Sequence, residues 1–159
     1  MPGHAGAMDA IQHERRAVRR IRCGPGPVYF VTTVTENRVA HFRDPLVASA
    51  VCGAIRGGAC GPGARAIGWV LMPDHWHGLV RLEGDACLAA CVATFRSLTA
   101  RAAREIDAGV GDLWCAAFHR RVLRRDSELL GATRYLVANP VRAGLAVRMG
   151  DYPYWHGAA

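Results

Sequence analysis

The sequence predicts an α+β domain in which a four-stranded antiparallel sheet carries helices on one face and is followed by a C-terminal helix that bears a tyrosine. Three observations predict it. Runs rich in β-branched and aromatic residues alternate with amphipathic stretches of helical length. Their order is strand–helix–strand–strand–helix–strand, which is the ferredoxin-like split βαβ arrangement. No repeat or second domain boundary interrupts the chain. In this topology the first and third strands are central.

The first half of the domain is punctuated by glycine and proline. Residues 28–35 are β-branched and aromatic and predict the first strand. Residues 44–56 predict a helix, since they open with an Asp-Pro pair suited to an N-cap and first turn and are followed by two glycines. Residues 64–72 and 75–82 predict the second and third strands, joined by a tight connection at Pro73.

The second half repeats the helix–strand order and adds a last helix. Residues 88–107 have apolar side chains at helical spacing, and residues 117–123 predict the fourth strand. Ser127 is placed to cap the last helix. We expect that helix to end near Pro140, because the residue before a proline is disfavoured in the α region.

The composition indicates one soluble domain with an anionic partner. The chain has 159 residues and a net charge of +7, and all of its basic residues are arginines. A basic balance in a small domain favours nucleic acid as a partner. We expect residues 1–27 to form a partly disordered basic arm and residues 28–159 to form the folded domain. The arm's candidate backbone-contacting arginines are Arg15, Arg16, Arg19, Arg20 and Arg22.

The sequence gives no sign of membrane insertion or of a cysteine-bound zinc. No apolar run reaches the ~18 residues that a membrane-spanning helix needs, and no signal-peptide pattern opens the chain. The six cysteines form no Cys-x-x-Cys pair. We therefore expect a cytoplasmic protein with no membrane partner.

The third predicted strand opens with two histidines on one face. Successive side chains of a strand alternate, so His75 and His77 point one way and Trp76 points the other. Two imidazoles at this spacing can share a metal ion. By itself a His-x-His pair is more often a strand with two half-exposed histidines, so the interpretation depends on further ligands.

The last predicted helix offers a nucleophile and a third ligand. Tyr135 and Asn139 are four residues apart and lie on one helical face. If that face lies over the third strand, the Asn139 amide could complete a site with His75 and His77. Carboxamide and water ligands suit Mg²⁺ or Mn²⁺. Tyr135 would then attack a phosphodiester held at the metal.

Several motifs, in order, resemble those of the REP-associated tyrosine transposases, which belong to the single-tyrosine HUH (histidine–hydrophobic–histidine) nucleases. The resemblance extends from about Val28 to Trp155. It rests on the opening strand, on a Met-Pro-Asp-His-Trp-His motif, on the approach to the fourth strand, on the region around the tyrosine and on the aromatic tail. These stretches are residues 29–32, 72–79, 113–119, 134–145 and 151–155.

The resemblance implies roles for particular residues. His75, His77 and Asn139 would hold Mg²⁺ or Mn²⁺, and Tyr135 would form a covalent 5′-phosphotyrosine. The implied substrate is single-stranded DNA with hairpins of the repetitive extragenic palindrome (REP) kind, flanked by a short guide sequence. Relatives include monomers and homodimers, and the implied location is cytoplasmic, at the bacterial nucleoid. Further candidates for DNA-backbone contact are Arg120, Arg121, Arg124, Arg125 and Arg142.

Two other functions fit the same elements. One is a non-catalytic nucleic-acid-binding module on a ferredoxin-like fold, which would bind without forming an adduct. The other is a metal hydrolase that uses His75, His77 and His119 with a water nucleophile, which would still cleave without Tyr135.

Overall fold

The computed structural model describes residues 26–157 as one sheet with helices on both faces. The strands are β1 (Val28–Val34), β2 (Ala64–Met72), β3 (His75–Leu82), β4 (His119–Leu123) and β5 (Trp155–His156). The helices are α1 (Pro45–Arg56), α2 (Leu88–Ile106) and α3 (Asp126–Arg142). The strand order is β4-β1-β3-β2-β5, and every neighbouring pair is antiparallel. The predicted α+β class and the central position of β1 and β3 are confirmed.

Two apolar clusters show how the helices divide between the faces. Trp76 and Val80 of β3 belong to the cluster that includes α1 and α2, whereas Leu79 belongs to the cluster that includes Leu129 and Leu136 of α3. Adjacent residues of one strand face opposite ways. Helices α1 and α2 therefore cover one face of the sheet, and α3 covers the other.

The sheet has five strands rather than the predicted four. The C-terminal tail adds β5, which pairs with β2 at Trp69 and Val70. A hydrogen bond from the buried Tyr152 hydroxyl to the Leu71 carbonyl, 2.6 Å long, ties the tail to the sheet. A strand of two residues has too few side chains to show an alternating pattern, which is why the sequence did not predict it.

The predicted ends of the last helix are wrong at both termini. The helix begins at Asp126 rather than after a Ser127 cap, because the Glu128 carboxylate accepts the backbone N–H groups of Arg124 and Arg125. It also continues through Pro140 to Arg142. A proline in the last turn removes only one helical hydrogen bond, and the Pro140 carbonyl still accepts from Leu145 N at 2.9 Å.

Arg96 of α2 holds the segment that leads into β4. Its two terminal nitrogens each donate to a backbone carbonyl, those of Ala116 and Ala117, at 2.6 Å. Its Nε donates to the Thr33 hydroxyl at 3.3 Å, and its guanidinium lies 5.5 Å from the Phe118 ring centroid. Arg96 thus joins α2 to β1 and to this segment.

Residues 1–25 and 158–159 lie outside the described part of the chain, so the predicted basic arm, with its five arginines, stays a prediction. Within residues 26–157, no helix has the length and apolar character needed to cross a membrane.

Gly78 gives Trp76 the room it occupies. The six-membered ring of Trp76 lies where a Gly78 Cβ would stand, and the indole packs on Phe95 with ring centroids 4.3 Å apart. We expect Gly78→Ala to lower the free energy of unfolding by about 1–3 kcal/mol, since the buried indole cannot move without strain. Urea unfolding followed by circular dichroism measures the change.

Gly53→Ala is the matched control for that substitution. Gly53 is an exposed glycine inside α1, and a Cβ there meets nothing within 4 Å. It should stabilise the protein by about 0.5–1 kcal/mol, because alanine loses less conformational entropy in a helix. Equal effects of the two substitutions would contradict the packing described for Trp76.

Candidate active site

The two histidines of β3 lie on the face of the sheet that α3 covers. His75 and His77 have the same parity as Leu79, which packs against α3. Their ring centroids are 4.7 Å apart and the ring planes meet at 76°. Trp76, between them, points into the opposite core. The strand therefore brings the two imidazoles together, as the sequence predicted.

Each imidazole is oriented through its Nδ1. His75 Nδ1 lies 2.6 Å from the Asp74 carboxylate, and His77 Nδ1 lies 2.7 Å from the Thr32 hydroxyl on the neighbouring strand. Because a carboxylate only accepts, the neutral form of His75 carries its proton on Nδ1 and leaves the Nε2 lone pair free. Partners of this kind fix ring orientation and tautomer in histidines that bind metals.

The Asp74 carboxylate is itself held by the loop that follows β1. Arg38 approaches it at 3.5 Å, and Thr35 donates its backbone N–H and its hydroxyl to the Asp74 carbonyl at 2.9 and 3.0 Å. Burial opposes ionisation of Asp74, but the hydrogen bond and charge of His75, together with Arg38, outweigh it and lower the pKa of Asp74. The carboxylate is therefore ionised and can orient His75.

Tyr135 of α3 reaches the histidine pair within the same chain. Its ring centroid lies 5.4 Å from that of His77 and 5.9 Å from that of Phe30, with edge-to-face geometry in both pairs. The residue is 44% exposed, so the phenol is open to a substrate. The helix thus places a candidate nucleophile beside the pair without a second copy of the chain.

Asn139 lies one turn after Tyr135 on the same helical face. Its Nδ2 is buried and has no hydrogen-bond partner. The oxygen and nitrogen of a carboxamide are interchangeable by a rotation about the last side-chain bond. After that rotation the buried position holds an acceptor oxygen, which a cation would satisfy. Asn139 therefore has the unpartnered side-chain group that a third ligand would need.

The donor set fits a hard divalent cation only when Asn139 is included. In the described part of the chain no group of three or more His, Cys, Asp or Glu side chains is arranged to hold a metal. His119 pairs with Thr32 of β1, which stands between it and His77. Histidines two strands apart are separated by ~10 Å at the backbone. A site made of His75, His77 and His119 is therefore disfavoured.

The other predicted DNA-contacting arginines divide between regions. Arg121 pairs in register with Phe30 and faces the active-site side, whereas Arg120 pairs with Val31 and faces the α1–α2 side. Arg142 lies in the last turn of α3, about two turns after Tyr135 and on the same side of the helix. The exposed Arg124 and Arg125 lie at the start of α3. The structure thus brings Arg121 and Arg142 to the face that carries the site and separates Arg120 from it.

Sequence reasoning missed four residues of this site, one of which is Asp74, the partner of His75. Thr32 and Phe30 contact His77 from β1, and Arg38 contacts Asp74 from the loop after that strand. Only the strand register brings Thr32 opposite His77. One local signal was available, because an aspartate beside a histidine can serve as its orienting carboxylate.

The solved structures that share this fold include two described as transposases, although no protein-family model and no curated protein matches the sequence. One is a REP-associated tyrosine transposase bound to a REP hairpin, with a TM-score of 0.64 and 22% identity over 82% of this chain and 76% of that chain. The other is a candidate transposase from Deinococcus radiodurans R1, with a TM-score of 0.56 and 17% identity over 70% of this chain and 90% of that chain. The chain has the fold of these transposases.

The burial of His77 leads to a prediction for the metal-free protein. Burial, and secondarily the charge of His75, lowers the pKa of His77 from 6.5 to about 3. In chelator at pH 5, the imidazole ¹⁵N spectrum of His77 should therefore show the neutral pattern, with His77→Gln assigning the signal. Between these pKa values the unfolded chain binds the extra proton, so the free energy of unfolding should fall as the pH falls. A midpoint near 6.5 for His77 would contradict the burial.

Proposed function

We propose that the protein is a metal-dependent single-stranded DNA endonuclease and strand transferase of the REP-associated tyrosine transposase kind, with Tyr135 as its nucleophile. The observation that carries the proposal is the contact between the Tyr135 and His77 rings, 5.4 Å apart, in a fold shared with a transposase of that class. A phenol open to solvent beside two oriented imidazoles is the arrangement that tyrosine-based phosphoryl transfer needs.

Cleavage and rejoining through Tyr135 exchange one phosphoester bond for another, so they need no external energy source. The Tyr135 oxygen attacks the scissile phosphorus, and the bond from phosphorus to the 3′ oxygen breaks. The products are a 5′-phosphotyrosine and a free 3′-hydroxyl. The phenolic proton passes to solvent, and the leaving oxygen takes a proton from solvent. A 3′-hydroxyl attacking the phosphotyrosine reverses these steps and rejoins the strand, since the phosphodiester energy is kept in the adduct.

A Mg²⁺ or Mn²⁺ ion held by His75, His77 and Asn139 would supply Lewis-acid stabilisation of charge on the phosphate oxygens. The chain's own contribution is orientation. Asp74 and Thr32 hold the Nδ1 atoms of the two imidazoles, which leaves their Nε2 atoms for a ligand, and burial keeps His77 neutral. A neutral imidazole needs no deprotonation before it binds a cation.

The proposed substrate is single-stranded DNA containing hairpins, beside a short guide sequence. The structural neighbour was solved with a REP hairpin, and the present chain has a net charge of +7. Arg121 and Arg142, on the active-site face, are the proposed contacts to the DNA backbone there, and the basic arm would add further contacts. Because Tyr135 reaches its own histidine pair, a monomer would suffice for cleavage, and a homodimer is not required by the geometry.

Tyr135→Phe should abolish cleavage and leave hairpin binding intact, since only the hydroxyl is lost. The probe is a REP-like DNA hairpin with single-stranded flanks, labelled in separate samples at the 3′ and the 5′ end. On a denaturing protein gel the wild type should shift the 3′ label into a covalent adduct and release the 5′ label as free DNA. Tyr29→Phe, on the opposite face of β1, is the control and should behave as the wild type.

Two other outcomes have definite meanings. Cleavage by Tyr135→Phe at the wild-type rate, without an adduct, would replace the tyrosine mechanism by hydrolysis. Tight hairpin binding by the wild type with no cleavage in either Mg²⁺ or Mn²⁺ would favour a binding module.

Metal binding can be measured apart from activity. We expect Thr32→Val to weaken Mn²⁺ binding by about tenfold, because His77 loses the partner that orients it. Asn139→Ala should weaken it at least as much by removing a ligand. Electron paramagnetic resonance of free Mn²⁺ gives the affinity, and Thr94→Val on the exposed side of α2 is the control. Unchanged affinity in both site variants would exclude this cation site.

A further inference from the structure

A cleft of about 270 Å³ opens at the outer edge of β2, on the side of the sheet that carries α1 and α2. The last turn of α1, the loop after it and the first half of β2 form its walls, and β5 closes one end. We name it the β2-edge cleft and define it by Arg56, Arg65, Trp69 and His156. Among the described residues, every charged side chain that lines it is an arginine, apart from the titratable His156.

Three planar groups meet at the floor of the β2-edge cleft. The Trp69 ring is buried, with only 2% of the residue exposed. The Arg56 guanidinium lies over it at 5.6 Å from the ring centroid, and the His156 ring stacks near it at 6.3 Å with an angle of 29°. Arg56 and His156 are themselves exposed. Flat, solvent-open surfaces of this kind stack on nucleobases.

The charge in the cleft favours an anion. Arg56 lies on the α1–α2 side of the sheet, whereas Arg65 pairs with Arg81 and therefore leaves the edge of β2 on the α3 side. Both arginines are exposed, and neither is paired with a carboxylate among the described residues. The partial negative charge at the C-terminus of α1 is reduced, because its last carbonyls accept the N–H groups of Gly57, Gly58 and Ala59. Arginine forks match phosphate oxygens in shape and charge.

The edge of β2 beside the cleft is open within the described chain. Strand β5 pairs with β2 only at Trp69 and Val70, and a register shift falls between Ala66 and Gly68. An arginine on such an edge also discourages pairing with another strand. That role would account for Arg65 alone. It does not account for the convergence of Arg56 and His156 on one ring.

We propose that the β2-edge cleft binds an unpaired nucleotide of single-stranded DNA, with His156 stacked on its base, Arg56 on its phosphate and Arg65 on the next phosphate, where the strand passes around the edge of the sheet. The choice of DNA as the anion rests on the proposed function. The cleft lies on the face opposite Tyr135, so a strand that occupies both must pass around an edge of the sheet. The nucleotide bound here is therefore distant from the scissile phosphate, and only DNA with a long unpaired flank reaches it.

The test measures binding with fluorescein-labelled DNA by fluorescence anisotropy. One probe is a hairpin with a minimal flank, and the others carry an added oligo-dT flank on the 5′ or the 3′ side. Wild-type protein should bind one of the extended probes more tightly than the minimal one. In the double variant Arg56→Ala/Arg65→Ala this gain should fall by about tenfold, and the slope of log K against log salt should fall by about 1.4, for two phosphates.

The control double variant is Arg101→Ala/Arg104→Ala, which removes the same charge from the exposed side of α2. This control should retain the increase in affinity that the flank provides. An equal loss of that increase in both double variants would show that it depends only on net charge and would overturn the proposal. No gain from either flank in the wild type would overturn it as well.

The stacking part has its own pair of variants. His156→Ala should reduce the gain by about fivefold or more, whereas His156→Phe should keep it, since a phenyl ring retains the stacking surface. Equal losses in both would show that the ring does not stack. Thermal unfolding of each variant separates loss of the contact from loss of the fold.

All of these measurements are repeated with Tyr135→Phe in the absence of divalent metal, so they do not depend on cleavage. If the flank increases the DNA affinity but wild-type protein forms no adduct, the nuclease function is refuted and the binding site in the cleft is supported. If wild-type protein forms the adduct but no flank increases the affinity, the nuclease function is supported and the binding site in the cleft is refuted.

Discussion

Strand β3 divides its side chains between two environments, and the rest of the structure depends on that division. Trp76 and Val80 enter the core under α1 and α2, while His75 and His77 face α3. A slip of one residue against β1 would exchange the two sets, placing imidazoles in an apolar core. The burial of Trp76, made possible by Gly78, therefore fixes the histidines on the opposite face.

Helix α3 joins stability to the candidate chemistry through its own periodicity. Leu129 and Leu136 bury the helix against β2 and β3. Tyr135, next to Leu136 in sequence, lies about 100° around the helix, where it meets the edge of the apolar contact and remains half exposed. Asn139 follows one turn later. Packing of the leucines thus sets the position of the phenol over the histidine pair.

The arginines of this basic chain have different structural roles. Arg96 binds the backbone of the segment before β4, Arg38 contacts Asp74, and Arg56 lies over an aromatic ring. Arg120 and Arg121 are neighbours in sequence but face opposite sides of the sheet. A run of basic residues in sequence therefore does not define a single surface, since strand alternation separates its members.

The sequence by itself determined the α+β class, the bounds of β2, β3 and α1, and the pairing of His75 with His77, because these follow from local periodicity and from glycine and proline punctuation. The four-residue spacing of Tyr135 and Asn139 also predicted that they share one face of a helix. Only the tertiary structure decided that this face lies over β3, that Thr32 and Asp74 orient the imidazoles, and that the tail adds a fifth strand. Those features depend on strand register and on contacts between residues far apart in the chain, which no local pattern encodes.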